Sequence, residues 1–559
     1  MLIYQFIKFN NETTCEHLTK FSESGGALCF DFEDSIYDWI NPANSKNLKL
    51  IARGNFDRIY RTLNNFKNIK TGVRINSSKD IEQEKDLISL SGKNINTIWI
   101  PKAENPKDIL IVEEKLKSYN IICNEIIPII ETRTSLQNLH LILNETKGAF
   151  SKIAFGHSDY NLSINSLPFF HQYNCEYWKW VNKIISIISD YNILFINSAF
   201  LYLNDNDFFK KMLSHLYRLF GENFGQVTLT TLQSRICTSF DKEFRGFKRL
   251  IDDRSDLRVP DDYAENFIKA FENQNQKRGF TVDKKDNVLL SPQEYITSKK
   301  YLKEKKSKKI DIIFTGGCFP VQYDILFEEL FHRKLMQCFH NNGIEMNLKL
   351  IRYERFRDTK EKISEYCGKN KIDLLIFHIR PEPFFRLLKL YYKYNNREGK
   401  TKRALNIPFI NSVKPEEFDV YETARELENY SENSGKKSNP LKADLNYIAG
   451  TIFGNLHYAV NQYLNLSSRI YDYCRNNDIK FIILGPLIRC CSNTESFFSN
   501  YFRKKIESYC RKNELNFTDG VPEYNEKIIC LEENGKFASQ NYHDFIAEKI
   551  FHKINLILE

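Results

Sequence analysis

The 559-residue chain has few glycines (22) and prolines (15), no CxxC pair, no CxxC…HxxxH spacing, no long low-complexity tract and no repeat between its halves. With 42% apolar and 27% charged residues in addition, a largely disordered chain is excluded, and most of the sequence should pack. The 13 cysteines are spread singly apart from the neighbours Cys490 and Cys491, which favours reduced thiols over a disulfide framework or a zinc site. No run approaches the roughly 18 apolar residues that cross a bilayer. The opening MLIYQFIKFNNETT carries a lysine inside its apolar run and lacks a small-residue cleavage site, so it reads as a first strand and not as a signal peptide. These absences predict a cytoplasmic protein with no membrane partner. Charge of one sign is also scarce: the net +9 is small for this length and densest in SKKYLKEKKSKK, a pattern of a solvated helix end or linker, so no nucleic-acid partner is expected.

What is present is an alternation. Up to about residue 245, short apolar runs (LIYQFIKF, GALCFDF, TGVRIN, NTIWIP, EIIPIIE, SKIAFGH, NILFIN, QVTLTT) alternate with amphipathic segments such as PKDILIVEEKLKSY. Strict alternation implies parallel pairing through helical crossovers, and eight such runs predict an N-terminal (β/α)8 TIM barrel over 1–245. Residues 246–308 read as a helical, lysine-rich linker region. From 309 to 559 a second alternating unit begins at KIDIIFTGGCF and includes KIDLLIFHI and IKFIILGP, the continuous apolar strands of a doubly wound parallel sheet. The fold class is therefore α/β, in a chain long enough for two or three folding units.

In a barrel of this type catalytic groups stand where strands end. Those ends are polar here: Glu33 and Asp34 in FDFEDSIYDW, Arg74 in GVRIN, Lys102 and Glu104 in IPKAE, Glu131 in IPIIET, and Asp159 in FGHSDY. For FDFED two readings stand, a helix N-cap with acids suited to the helix dipole or the rim of an active site.

The ordered set FDFED, KLIAR, VRIN, PKAE, IET and GHSD resembles the HpcH/HpaI aldolase and citrate lyase beta-subunit family over about residues 20–240. GQVTLTTLQ is similar to that family's G-K-x-x-I-H-P-x-Q segment, with Thr230 where its histidine is usual. The resemblance implies a Mg2+-dependent carbon–carbon lyase or aldolase acting on a 2-oxo or 2-hydroxy acid or an acyl thioester, with coenzyme A one such carrier, and a homo-oligomer. It implies Mg2+ on Glu131 and Asp159, a cation suited to one or two carboxylates with substrate oxygens completing its sphere. Arg74 would grip the substrate carboxylate, and Glu33 and Asp34 would orient water or Lys102. No general base stands out.

In the second half, the strand running into Gly316-Gly317-Cys318 resembles the first block of the SGNH (GDSL-type) hydrolases, with Cys318 at the place of their nucleophilic serine. KIDLLIFHIRPEPFFR resembles their oxyanion-hole strand, with His378 to Arg380 departing from the pattern, and NYHDFIAEKI aligns Tyr542 and His543 with the C-terminal helix. Asn534 and Phe537 then fall at the acid and histidine positions. Gly317, Cys318, His378, Arg380 and His543 are the candidate site there, in a domain that is degenerate or altered. The leading expectation is a lyase fused to this domain in a bacterial biosynthetic pathway. Two alternatives are an esterase or acyltransferase working through Cys318 with the barrel as binding module, and a noncatalytic scaffold.

Overall fold

A computed structural model of the chain describes residues 1–7, 26–63, 69–240, 259, 262–273, 279–283, 287–304, 308–316, 325–352, 358–395, 401–408, 440–486, 493–522 and 538–558. The chain divides into two compact units, one from Met1–Ile251 and Val259–Glu304, the other chiefly from Lys305–Glu559.

The first unit is a closed barrel of eight parallel strands in sequence order: β1 (Leu2–Ile7), β2 (Ala27–Asp31), β3 (Thr71–Arg74), β4 (Asn94–Ile100), β5 (Ile122–Ile130), β6 (Lys152–Phe155), β7 (Leu194–Asn197) and β8 (Phe224–Thr228). Closure comes from β1, which pairs with β2 through Tyr4 and Ala27 and with β8 through Leu2 and Gly225. Residues of β1, β2 and β4 to β7 pack together: Tyr4, Ala27, Cys29, Trp99, Ile127, Ile129, Ala154 and Ile196, with Tyr4 meeting Trp99 edge-on at 5.0 Å. Outside, helix Ser45–Leu63 buries Leu48, Ala52, Phe56 and Ile59 at three- and four-residue spacing, and Phe56 stands edge-on to Phe30 and Phe32. Local signals set the crossovers. In AENPKDIL, Pro106 occupies the first turn of helix Pro106–Ser118, and the Asp108 carboxylate accepts the Asn105 amide at 3.0 Å.

The stretch 246–308 differs from a linker. Its described part supplies helix Tyr263–Glu272, an antiparallel hairpin of β9 (Thr281–Asp283) and β10 (Val288–Leu290), and helix Pro292–Glu304, and Val259–Glu304 belongs to the barrel's unit. The physical reason is apolar content that composition alone hides: Phe271, Leu290 and Tyr295 are buried together, and the Phe271 and Tyr295 rings stack at 4.5 Å. The hairpin is tied to the chain after β7 by Leu203 N–H to Asn287 O (3.1 Å) and Leu289 N–H to Leu201 O (2.9 Å).

The second unit contains a five-stranded parallel sheet of β11 (Lys308–Gly316), β12 (Ile344–Arg352), β13 (Leu374–His378), β16 (Lys480–Leu484) and β17 (Asn516–Thr518), in the order β12-β11-β13-β16-β17. A separate hairpin joins β14 (Tyr391–Asn395) to β15 (Thr401–Leu405). One sheet face packs on Phe331, Leu335, Tyr542, Ile546 and Ile550. The other packs on Ile363, Phe384, Tyr463 and Phe502. Helices therefore cover both faces, and the strand order reverses between β11 and β13. Among the described residues no helix is long and apolar enough to cross a membrane.

Candidate functional site

Part of the ordered motif set braces the barrel. Lys49 and Arg53 of KLIAR are buried on helix Ser45–Leu63 and point at the turn after β3. Lys49 Nζ donates to Asn76 Oδ1. Arg53 holds Asp86 (Nε to Oδ1, 2.8 Å) and Glu82 (2.7 Å), and Asn76 donates to Phe32 O and Asp86. Burial, opposed by Arg53 and Asn76, pushes Asp86 up to about 6. Glu104 of PKAE accepts from Thr132 Oγ1 at 2.8 Å and from Lys79 Nζ, tying neighbouring strand ends together.

The remaining strand-end groups converge at one mouth of the barrel. The Asp31 carboxylate ends β2, takes both a two-pronged grip from Arg74 (Nε to Oδ1, 2.7 Å; Nη2 to Oδ2, 2.5 Å) and the backbone amides of Glu33 and Ser35. Burial raises it, but Arg74 and the amides outweigh that and hold it below the usual carboxylate range. Arg74 Nη1 stands 3.2 Å from Glu33 Oε2. Of the two readings of FDFED, the N-cap fails: residues 32–40 contain turns and a bridge, and no helix begins between Phe32 and Pro42.

Lys102 sits at the centre of the acids. Its Nζ lies 2.6 Å from Glu33, 3.4 Å from Asp159 and 3.9 Å from Asp34, and its backbone N–H donates to Glu131 Oε1 at 2.8 Å. A left-handed φ of 51° lets one residue present amide and ammonium to different carboxylates. Burial disfavours the ammonium, yet Asp159, Asp34 and Glu33 raise its pKa well above the ordinary lysine value. Gln293, from helix Pro292–Glu304, donates Nε2 to both Asp34 (2.8 Å) and Asp159 (3.0 Å). Gly156 closes the arrangement from below, because a Cβ there would stand 2.4 Å from Glu131 Oε2 and 2.7 Å from its Cβ. The glycine of GHSD therefore lets the Glu131 side chain lie against the end of β6.

Five buried carboxylates (Asp31, Glu33, Asp34, Glu131, Asp159) thus share two cations, Arg74 and Lys102. Burial, then Asp159, raises Glu131 well above its ordinary value. Burial, then Asp34, raises Glu33. Burial, opposed by Lys102 and reinforced by Asp34 and Glu33, pushes Asp159 up to about 7. Among the described residues no group of three or more His, Cys, Asp or Glu forms a ready cage for a metal ion. The donor set still fits a hard divalent cation that needs only one or two carboxylates: it is all oxygen, it carries excess negative charge, and the Lys102 ammonium stands among the acids as a cation would.

These groups open on a cavity of about 310 Å3 whose wall includes Asp31, Asp34, Arg74, Glu131, Asp159 and, from the hairpin β9–β10, Val282 and Leu289. Thr230 also lines it and caps helix Thr231–Thr238, its hydroxyl accepting from Gln233 N–H at 3.1 Å. Sequence reasoning missed Gln293, His157 and Ser198, which belong to this site. A signal for Gln293 existed: SPQE, with Ser, Pro and Glu at helix-start spacing.

In the second unit His378 ends β13 and Arg380 follows it, both buried, at the carboxyl side of the sheet where strand order reverses. Burial, then Arg380, pushes His378 down to about 3. Arg380 O accepts from Tyr463 Oη at 2.5 Å. His543 lies buried in helix Gln540–Leu558 with Nδ1 accepting the Phe331 amide at 3.2 Å, and burial, then Lys334, pushes it down to about 3. Gly317, Cys318, Asn534 and Phe537 lie outside the described residues.

Residues 6–189 match the HpcH/HpaI aldolase/citrate lyase family. That span contains FDFED through GHSD, every carboxylate of the site and both its cations, whereas Thr230 and Gln293 lie beyond it. No curated protein matches the chain. Among solved structures, the citrate lyase beta subunit of M. tuberculosis complexed with oxaloacetate and magnesium is similar at 17% identity over 42% of this chain and 93% of that one, with a TM-score of 0.34. RipC of Yersinia pestis is similar at 17% over 43% and 94%, with a TM-score of 0.33. The protein CitE of M. tuberculosis with magnesium, acetoacetate and coenzyme A is similar at 14% over 54% and 97%, with a TM-score of 0.34.

Proposed function

We propose that the barrel is a Mg2+-dependent carbon–carbon lyase or aldolase for a 2-oxo or 2-hydroxy acid or an acyl thioester. The observation that supports this reading most is the charge excess at the barrel mouth: five buried carboxylates around two cations, within a span matching an aldolase and lyase family. Glu131 and Asp159 would hold Mg2+, which would supply the positive charge that stabilises an enolate oxygen. Arg74 is oriented by Asp31 through two of its five N–H donors and faces Glu33 with Nη1, and its remaining N–H donors would bind the substrate carboxylate. Glu33 and Asp34 position the Lys102 ammonium, which would move aside or onto substrate oxygen when a divalent ion enters. Phe6 and Trp99 line the same cavity and keep bulk water from the reacting carbon.

The second unit is proposed as an SGNH-like domain that binds and does not hydrolyse, positioning an acyl or sugar-linked substrate. The packing of His543 against the Phe331 amide supports this, since a buried helical imidazole used as an acceptor is poorly placed as a catalytic base.

Calorimetric titration of Mg2+ into wild type, Glu131→Gln and Asp159→Asn, followed by assay of carbon–carbon cleavage of a 3-hydroxyacyl thioester, read as release of a 2-oxo acid, tests the lyase. Uptake by wild type and loss in both variants is expected. Equal uptake by all three would refute the assignment.

A further inference from the structure

The cavity wall carries a second set of polar groups that the metal reading leaves unused. Ser198 follows β7, His157 opens helix His157–Ser163 after β6, and both line the cavity. Ser198 Oγ stands 2.5 Å from His157 Nδ1, and His157 Nε2 stands 3.0 Å from His171 Nδ1. His171 Nε2 faces Glu294 Oε2 at 3.7 Å, beyond hydrogen-bond reach. Glu294 is itself buried and fixed through its other oxygen by the Phe169 amide (3.0 Å) and Tyr263 Oη (2.5 Å).

The direction of this chain follows from its buried end. No hydrogen bond joins His171 to Glu294, but the negative charge of Glu294 favours the neutral His171 tautomer whose N–H at Nε2 faces it, and that tautomer leaves Nδ1 bare. His157 must then donate from Nε2, which leaves its own Nδ1 bare, and the Ser198 hydroxyl donates to it. Each link orders the next, as a carboxylate orders the imidazole of a hydrolase triad.

The geometry points to Ser198 as the proton-transfer residue of the barrel site, with His157 as the base that takes its hydroxyl proton and His171 and Glu294 as positioning residues. The substrate class is a carbon acid, a 2-oxo acid whose C–H lies next to the carbonyl; this part rests on the lyase reading above. In the step, that C–H bond breaks and its electron pair becomes the enolate. The proton passes to Ser198 Oγ while the hydroxyl proton passes to His157 Nδ1, and the reverse sequence protonates the carbon. Atoms and charge balance without any further reactant.

Two measurements decide the two parts. Long-range 1H–15N spectra of the full-length protein, without substrate or metal, read the tautomers: both His157 and His171 are expected protonated at Nε2, with Glu294→Gln disturbing both. Protonation of either at Nδ1 would overturn the relay. Exchange of pyruvate methyl protons in D2O with Mg2+ present reads the carbon-acid role. Ser198→Ala is expected to slow it about 100-fold or more, within the range for a positioned proton-transfer group, with pyruvate KM changed less than about twofold. His171→Asn, the second variant, should slow exchange with the Ser198 side chain intact. Exchange at the wild-type rate in a folded Ser198→Ala protein overturns the role and leaves the lyase reading standing. Absence of exchange in wild type overturns the role together with that reading, while the tautomer spectra still decide the relay.

Discussion

Asp159→Asn puts the charge excess at the barrel mouth to a direct test. Burial and the neighbouring acids, only partly offset by Lys102, lift this carboxyl from 3.8 to about 7. Because the folded value lies above the unfolded one, the native protein retains a proton between them that the unfolded chain has released. Stability of the metal-free protein therefore falls as pH rises from the unfolded value to about 7, and the full loss is present above it. A difference of about three units, at 1.36 kcal/mol each, sets a ceiling of roughly 4 kcal/mol. Glu131 and Glu33, raised by the same burial, add to the trend. Asparagine keeps the shape and cannot ionise. In EDTA the variant should match wild type near about pH 4 and exceed it by about 2–4 kcal/mol near pH 8. Unfolding should be followed through the transition of the first unit, because a chain of two units need not melt in one step. Millimolar Mg2+ should reverse the order by stabilising the wild-type native state alone. Superimposable stability–pH curves for the two metal-free proteins, or a less stable variant near pH 8, would refute the reasoning.

Gly156→Ala should place a methyl group against Glu131 and cost about 1–3 kcal/mol of stability, with weakened Mg2+ uptake; thermal denaturation and calorimetric titration check both. Arg53→Met should leave Glu82 and Asp86 buried without their cation and cost about 3–5 kcal/mol. Since Arg53 is not part of the cavity wall, Mg2+ binding by the folded fraction should be unchanged. Gln293→Leu should remove the donor shared by Asp34 and Asp159, lowering stability in EDTA by about 1–3 kcal/mol, a deficit that added Mg2+ should shrink in the same melting experiment.

The barrel was legible because each strand is a short apolar run and a helix start such as Asn105-Pro106, ahead of helix Pro106–Ser118, announces itself locally. Strand-end position likewise pointed to Glu33, Asp34, Arg74, Lys102, Glu131 and Asp159, which the structure brings to one mouth. What stayed hidden depends on long-range contacts. Asp31 looks from sequence like one acid among three, and only the pairing of β2 with β3 places it beside Arg74. Gln293 meets Asp34 across 259 positions of sequence. His157 and Ser198 are ordinary residues until four segments align them. Lysine-rich composition masked the packing of Phe271 on Tyr295, so 246–308 read as a helical linker region.

The barrel's mouth is finished by a stretch that arrives well after its eighth strand. A polypeptide ended near residue 245 would keep all eight staves of the cask and lose its lid: Val282 and Leu289 from the wall, the amide between Asp34 and Asp159, and the buried acid that orders His171. The smallest fragment able to carry the chemistry intact therefore runs through Glu304, and shorter ones should fold, if at all, as an open vessel with its charges unquenched.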